Sequence, residues 1–160
     1  MSVLIRHMRA GEEAALHRIF VEAVRDGAKG HYDSRQRKAW APDGPPPPSW
    51  HERLREQEVW VAVGRGQPVG FLSVTPEGHL DLAFVRPSWM GGRAMPALYD
   101  AMLHWAREQG LARLTTDASH LFRAFLRRRG WTGETPEDID RGGVVLRRWP
   151  MTLDLKDEKT

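Results

Sequence analysis

The chain has 160 residues, 41% of them hydrophobic, enough for one domain with a substantial core. Twenty-four basic against 21 acidic side chains leave a formal charge of +3, too mild by itself to mark a nucleic-acid-binding protein. The absence of cysteine excludes disulfides, thiolate metal sites and a cysteine nucleophile; with no membrane-length apolar run and no signal-peptide core in residues 1–10, the expectation is a soluble cytoplasmic protein.

Residues 3–7 predict a short strand. Residues 11–28 space Ala14, Ala15, Ile19, Val21 and Val24 at roughly helical intervals, with Glu12 and Glu13 in the first turn, where the helix dipole favours acids, and Gly27 and Gly30 closing the helix. Residues 34–40 predict a second, short helix. Pro42-Asp43-Gly44 and the four prolines after it suit neither helix nor strand and predict an extended connector. Ser49 then predicts the N-cap of a helix running through Glu56. Residues 59–63 and 68–74 predict two strands about the Gly64-Arg65-Gly66 turn, and residues 78–85 a third.

After Arg86-Pro87 a loop, SWMGG, precedes the most strongly patterned helix. Ala94, Ala97, Leu98, Ala101, Met102, Trp105 and Ala106 share one face; Pro96 lies in the first turn, where its missing N–H costs nothing, and Gly110 caps the far end. Residues 111–116 predict a strand, Ser119 opens a helix ended by Gly130, and residues 144–153 predict a final strand. Two parallel strands joined by the long helix make a βαβ crossover. Asp138-Ile139-Asp140 is read as an acidic loop, since a DxD match of three residues is near chance. The sum is a mixed α/β sheet with helices on both faces, a single domain over 1–160.

Gly91-Gly92, set between an apolar strand and a helix, leaves backbone N–H groups free at a helix N-terminus, where phosphate binds well. On its own a glycine pair is ordinary turn punctuation. In order and wording, however, residues 80–131 resemble the GNAT superfamily of acyl-CoA-dependent N-acetyltransferases. Val85-Arg86-Pro87 matches the family's strand-ending Val-x-Pro, and Met90-Gly91-Gly92-Arg93-Ala94-Met95 falls at its pyrophosphate loop. Ala118-Ser119, Phe122, Phe125-Leu126 and Gly130-Trp131 follow the family's next helix, while YDSRQRKAW and GGVVLRRWPM look like one bacterial branch.

The resemblance implies a GNAT-like mixed sheet of six to seven strands and acetyl-CoA as co-substrate, with no metal. It implies an acceptor that is a primary amine on a small molecule or a protein and leaves a homodimer open; the mild charge and the lack of a membrane-length run lead to the expectation of no nucleic-acid and no membrane partner. It also implies that backbone groups of Phe84 and Val85 pair with the pantetheine arm. The N–H groups of Met90, Gly91, Gly92, Arg93, Ala94 and Met95 would hold the pyrophosphate, and Ser119 would border the cofactor. Tyr32 and Trp40 fall where family members shape the acceptor pocket.

Direct attack of an amine on a thioester needs no protein nucleophile. It needs proximity, a base for the ammonium and a donor for the departing thiolate. Asp81 is the first candidate base, because a carboxylate inside an apolar strand must find a partner or a cleft. His79, on the same face by the period of two, is the second. The structural alternatives are an Asp81 that accepts hydrogen bonds from a neighbouring loop and a solvated His79. Many family members carry a tyrosine acid where this chain has Leu126. Arg93 and Met95 add bulk in the loop, and Phe122 puts a ring where family members usually have a small residue bordering the cofactor. These departures define the alternative function, a GNAT-fold binding or regulatory module that no longer binds acyl-CoA.

Overall fold

The computed structural model describes residues 2–133 and 135–155. Its strands are β1 (Leu4–His7), β2 (Glu58–Gly64), β3 (Gln67–Val74), β4 (His79–Val85), β5 (Arg113–Ala118), β6 (Glu137–Arg141) and β7 (Val144–Asp154). The helices are α1 (Glu13–Arg25), α2 (Ser34–Trp40), α3 (Pro48–Arg55), α4 (Ala94–Glu108) and α5 (His120–Arg127). One seven-stranded sheet runs in the order β1-β2-β3-β4-β5-β7-β6. β4 and β5, joined through α4, pair in parallel, and the other neighbours are antiparallel.

Alternation along the strands feeds two cores. Leu72, Leu80, Leu114 and Met151 face α4 and α5, where they meet Leu98, Met102 and Leu126. Val59, Val61, Phe71 and Leu82 face the opposite side and pack on Leu16, Ile19 and Phe20 of α1 and on Trp50 and Leu54 of α3. Helices therefore cover both faces, as the patterning implied.

Strand β4 breaks the alternation at Asp81, and the break positions the site. In β4, Leu80 belongs to the α4 core, yet Leu82 belongs to the α1 core. Across β3, Val74 pairs with Leu80 and Ser73 with Leu82, which leaves Asp81 without an opposite residue. This is a β-bulge, which bends its strand and sharpens the local twist.

Three local expectations need correction. Residues 138–140 are not a loop: they lie in β6, which forms a hairpin with β7. Arg141 and Val144 flank a two-residue turn in which Gly142 and Gly143 have φ of 61° and 86°, the doubly positive pattern of a type I′ hairpin. Ser49 is not the cap of α3; Pro47 holds that position and Pro48 opens the helix, where proline's fixed φ fits and no N–H is wasted. Helix α1 stops at Arg25, before Gly27. Helix α2 does begin at Ser34, because Asp33 and Gln36 form a reciprocal capping box.

Candidate functional site

The ladder between β4 and β5 has two rungs, His79 opposite Thr115 and Leu80 opposite Thr116. The Thr116 hydroxyl donates to the Leu80 carbonyl at 2.7 Å and pins the last of them. Beyond that point β4 continues along β3 as far as Val85, and β5 along β7 as far as Ala118. The two strands thus diverge at the Asp81 bulge, and among the described residues their facing backbone edges have no strand partner. A cleft of about 680 Å³ opens at this fork. Its walls come from α1, Tyr32, α2, the proline connector and α3 on one side, and from Phe122 and the β6–β7 hairpin on the other.

Asp81 and His79 both line the cleft. Asp81 receives Arg53 through Nε at 2.5 Å and Nη2 at 2.7 Å, and the Gln57 amide at 2.8 Å. Burial pushes its carboxyl pKa up, but the bonds from Arg53 and Gln57 outweigh that and hold it below the ordinary carboxylate range. His79 lies with Nδ1 at 2.8 Å from the Thr115 hydroxyl and Nε2 at 3.6 Å from an Asp117 carboxylate oxygen.

Tyr32 is buried and also reaches the cleft. Its hydroxyl oxygen accepts the backbone N–H of His120 at 2.8 Å, at the start of α5. The oxygen's own proton remains to be donated elsewhere. Burial pushes the phenol pKa up, against the opposing hydrogen bond from His120, so the group is neutral at neutral pH. Trp40 meets the rings of Tyr32 and Phe84 edge-on, at 5.3 and 5.9 Å. Phe84 faces the cleft, whereas the Val85 side chain is buried with the α4 core. Ser119 lines the cleft and caps α5, its hydroxyl accepting the Phe122 N–H at 3.2 Å. Phe122 also lines it and stacks on Phe125 at 5.2 Å. Leu126 is fully buried in the α4–α5 core and supplies no donor.

The loop of residues 90–95 lies outside this cleft, at the far end of β4. A 3-10 turn, Pro87–Trp89, delivers the chain to it. Two glycine sockets hold it. A Cβ on Gly64 would lie 2.4 Å from the Trp89 ring, and one on Gly27 would lie 2.2 Å from the Met90 methyl and 2.6 Å from the Ala23 carbonyl. Arg86 adds an ion pair to Glu22 at 2.8 Å. No side chain caps the N-terminus of α4, so its first N–H groups are left for an incoming acceptor. Gly91, Gly92 and Arg93 are exposed, Ala94 is buried, and Met95 packs against the α4 core.

Sequence reasoning therefore named residues in two places, which β4 itself connects. Asp81, His79, Phe84, Ser119, Tyr32 and Trp40 share the cleft, while Met90, Gly91, Gly92, Arg93, Ala94 and Met95 form the loop. It missed Arg53 and Gln57, which fix Asp81, and the arginines of the β6–β7 hairpin, Arg141, Arg147 and Arg148, which line the cleft. The Gly142-Gly143 pair between two short runs was the available signal for that hairpin.

The seven-stranded mixed sheet with helices on both faces is the architecture that the sequence resemblance implied. The family model described as an acetyltransferase (GNAT) domain matches residues 28–155, and the chain belongs to the GNAT family of acetyltransferases. It is 34% identical over 150 residues to the uncharacterized N-acetyltransferase YafP of Escherichia coli (strain K12), covering 94% of this chain and 95% of that protein. A crystal structure of a GCN5-related N-acetyltransferase from Rhodopseudomonas palustris superposes with a TM-score of 0.87 at 27% identity, over 97% of each chain. The fold also matches yncA from Salmonella typhimurium, solved with its cofactor acetyl-CoA, at a TM-score of 0.66 and 20% identity over 97% of this chain and 95% of that one. Among the described residues, no helix is long and apolar enough to cross a membrane.

Proposed function

We propose that this chain moves an acetyl group from acetyl-CoA to a primary amine, on a small molecule or a protein, by direct attack at the β4–β5 fork. The observation that carries the proposal is the ladder that ends after two rungs at the Asp81 bulge and opens into a cleft. The residues present fit the coenzyme. The open N-terminus of α4 suits a pyrophosphate, and the free β4 edge beside Phe84 and Val85 suits the pantetheine amides. Arg93 is exposed and Met95 packs against the α4 core, so the loop backbone stays accessible.

The acceptor enters as an ammonium and first loses one proton to free its lone pair; the nitrogen then attacks the thioester carbonyl carbon, a C–N bond forms, the C–S bond breaks, the nitrogen sheds a second proton and the departing thiolate gains one. We place His79 first as the base, because its imidazole lines the cleft at the fork and has a ring nitrogen that can accept a proton, whereas Asp81 is held too acidic by Arg53 and Gln57 to take one readily. Asp81 instead keeps its negative charge beside His79 and draws the ammonium in. Tyr32, neutral and with a proton to donate, takes the acid's role that Leu126 cannot fill. The coenzyme-free binding module is favoured by one observation, the Phe122 ring lining the cleft. Calorimetric titration with acetyl-CoA, followed by assay of amine-dependent thiol release, separates the two. Saturable binding and thiol release are expected; no heat at millimolar acetyl-CoA would leave the binding module.

A further inference from the structure

The charged groups that line the cleft are paired with one exception. Asp81 is matched by Arg53, Asp117 by Arg148 at 3.7 Å, and Asp43 by Arg25 at 2.8 Å. Arg147 and Arg148 are themselves held from behind, by Asp138 at 2.9 Å and Glu137 at 2.6 Å on β6. Arg141 lines the same cleft, and its side chain has no hydrogen-bond or ion-pair partner among the described residues. It is an exposed guanidinium set beside a cleft whose other cations are already engaged.

The backbone beneath Arg141 is fixed. The residue closes β6 immediately before the two-glycine turn, whose geometry allows little slack. Gln36 of α2 donates to the Val145 carbonyl at 3.3 Å, and Ile139 and Leu146 pack with Tyr32 and Trp40. The hairpin tip is thus clamped to the helix that supplies the aromatic wall. A guanidinium presents a planar fork of N–H donors matched to carboxylate or phosphate oxygens. The wall itself offers the rings of Phe20, Trp40 and Phe84. An acceptor with an amine alone would use the rings and leave Arg141 idle.

We infer that the acceptor carries a second, anionic group, a carboxylate or a phosphate-type group, that pairs with Arg141 while an apolar body rests on the rings. Calling the ligand an acceptor rests on the acetyl-transfer reading; the charge preference does not, because binding can be measured without turnover.

The test uses the full chain saturated with coenzyme A, or without it if none binds. The ligands are para-(aminomethyl)benzoate, its uncharged amide and para-(aminomethyl)phenylphosphonate, titrated by calorimetry. The carboxylate should bind about fivefold tighter than the amide, the scale of one partly exposed charge pair. Arg141→Ala should erase that preference, Arg141→Glu reverse it and Arg141→Lys restore part of it, with melting temperatures confirming that each variant is folded. A phosphonate tighter than the carboxylate assigns the group to a phosphate ester, and the reverse assigns it to a carboxylate. Equal affinity for acid and amide in the wild type, a preference that survives Arg141→Ala, or no binding of any of the three at millimolar concentration overturns the inference. Failure of the acetyl-transfer reading shows separately, as binding without thiol release.

Discussion

The two ends of the site are made of different material. At the end proposed for the coenzyme, residues 90–95 offer backbone N–H groups, and the glycine sockets at Gly64 and Gly27 locate them. At the fork, the groups that matter are side chains, and each is held by another side chain or a backbone group: Asp81 by Arg53 and Gln57, His79 by Thr115, Tyr32 by His120. A backbone site tolerates side chains that point away from it, as Arg93 does toward solvent and Met95 does toward the α4 core. A side-chain site does not, and a change there alters the chemistry. Variants at the fork should therefore lower turnover without disturbing coenzyme binding, and variants in the sockets should do the opposite.

The largest effect should come from His79→Gln. Removing a general base typically costs about 10²- to 10⁴-fold in turnover, and acetyl-CoA affinity measured by calorimetry should hold. A parallel loss of affinity would erase the division between the two ends. Gly64→Val should act from the other side. The added carbons meet the Trp89 ring, and overpacking of this kind costs about 1–3 kcal/mol, so both melting temperature and acetyl-CoA affinity should fall. Unchanged affinity would mean that Trp89 does not set the loop.

Tyr32→Phe keeps the ring against Trp40 and removes only the hydroxyl. Losing its hydrogen bond should cost about 1 kcal/mol of stability in urea titrations, with turnover falling further than stability accounts for. Normal turnover would leave Tyr32 a purely structural role. Asp81→Asn should cost about 1 kcal/mol, discounted because Arg53 is half exposed. The folded Asp81 binds protons less readily than the unfolded chain, so its contribution is present above the ordinary carboxylate pKa and is lost as pH falls through the depressed folded value. Urea titrations from neutral to acid pH should show a shallower decline in the variant.

The smallest effect concerns His17, which contacts the Trp50 ring at 5.0 Å. Burial, and then the nearby His51, hold its imidazole below its ordinary value. The unfolded chain therefore takes up the proton first, and stability should fall as pH drops through about 6.5, the ordinary imidazole value. His17→Phe should flatten that slope; an unchanged slope would place its origin elsewhere.

The sequence showed what local patterning controls. The apolar face of α4, its proline in the first turn and the parallel crossover follow from helical period and punctuation, and Asp81 stood out as an acid in an apolar strand. The rest depends on contacts between distant segments. The bulge at Asp81 is a matter of register against β3, and neither its partner Arg53, 28 residues upstream, nor the seating of Met90 over Gly27 leaves a periodic trace. Strand β6 was lost because EDIDR carries one apolar residue in five and alternates too weakly to outweigh its charge. With it went Arg141, which the hairpin brings to the cleft.

The most direct test of the central claim is a crystal structure of the chain with coenzyme A. The pyrophosphate should lie within hydrogen-bonding distance of N–H groups in residues 90–95, the pantetheine along the open edge of β4 beside Phe84 and Val85, and the sulfur at the Asp81 fork within reach of Tyr32. A coenzyme bound elsewhere, or crystals that take up none at millimolar concentration, would contradict that claim.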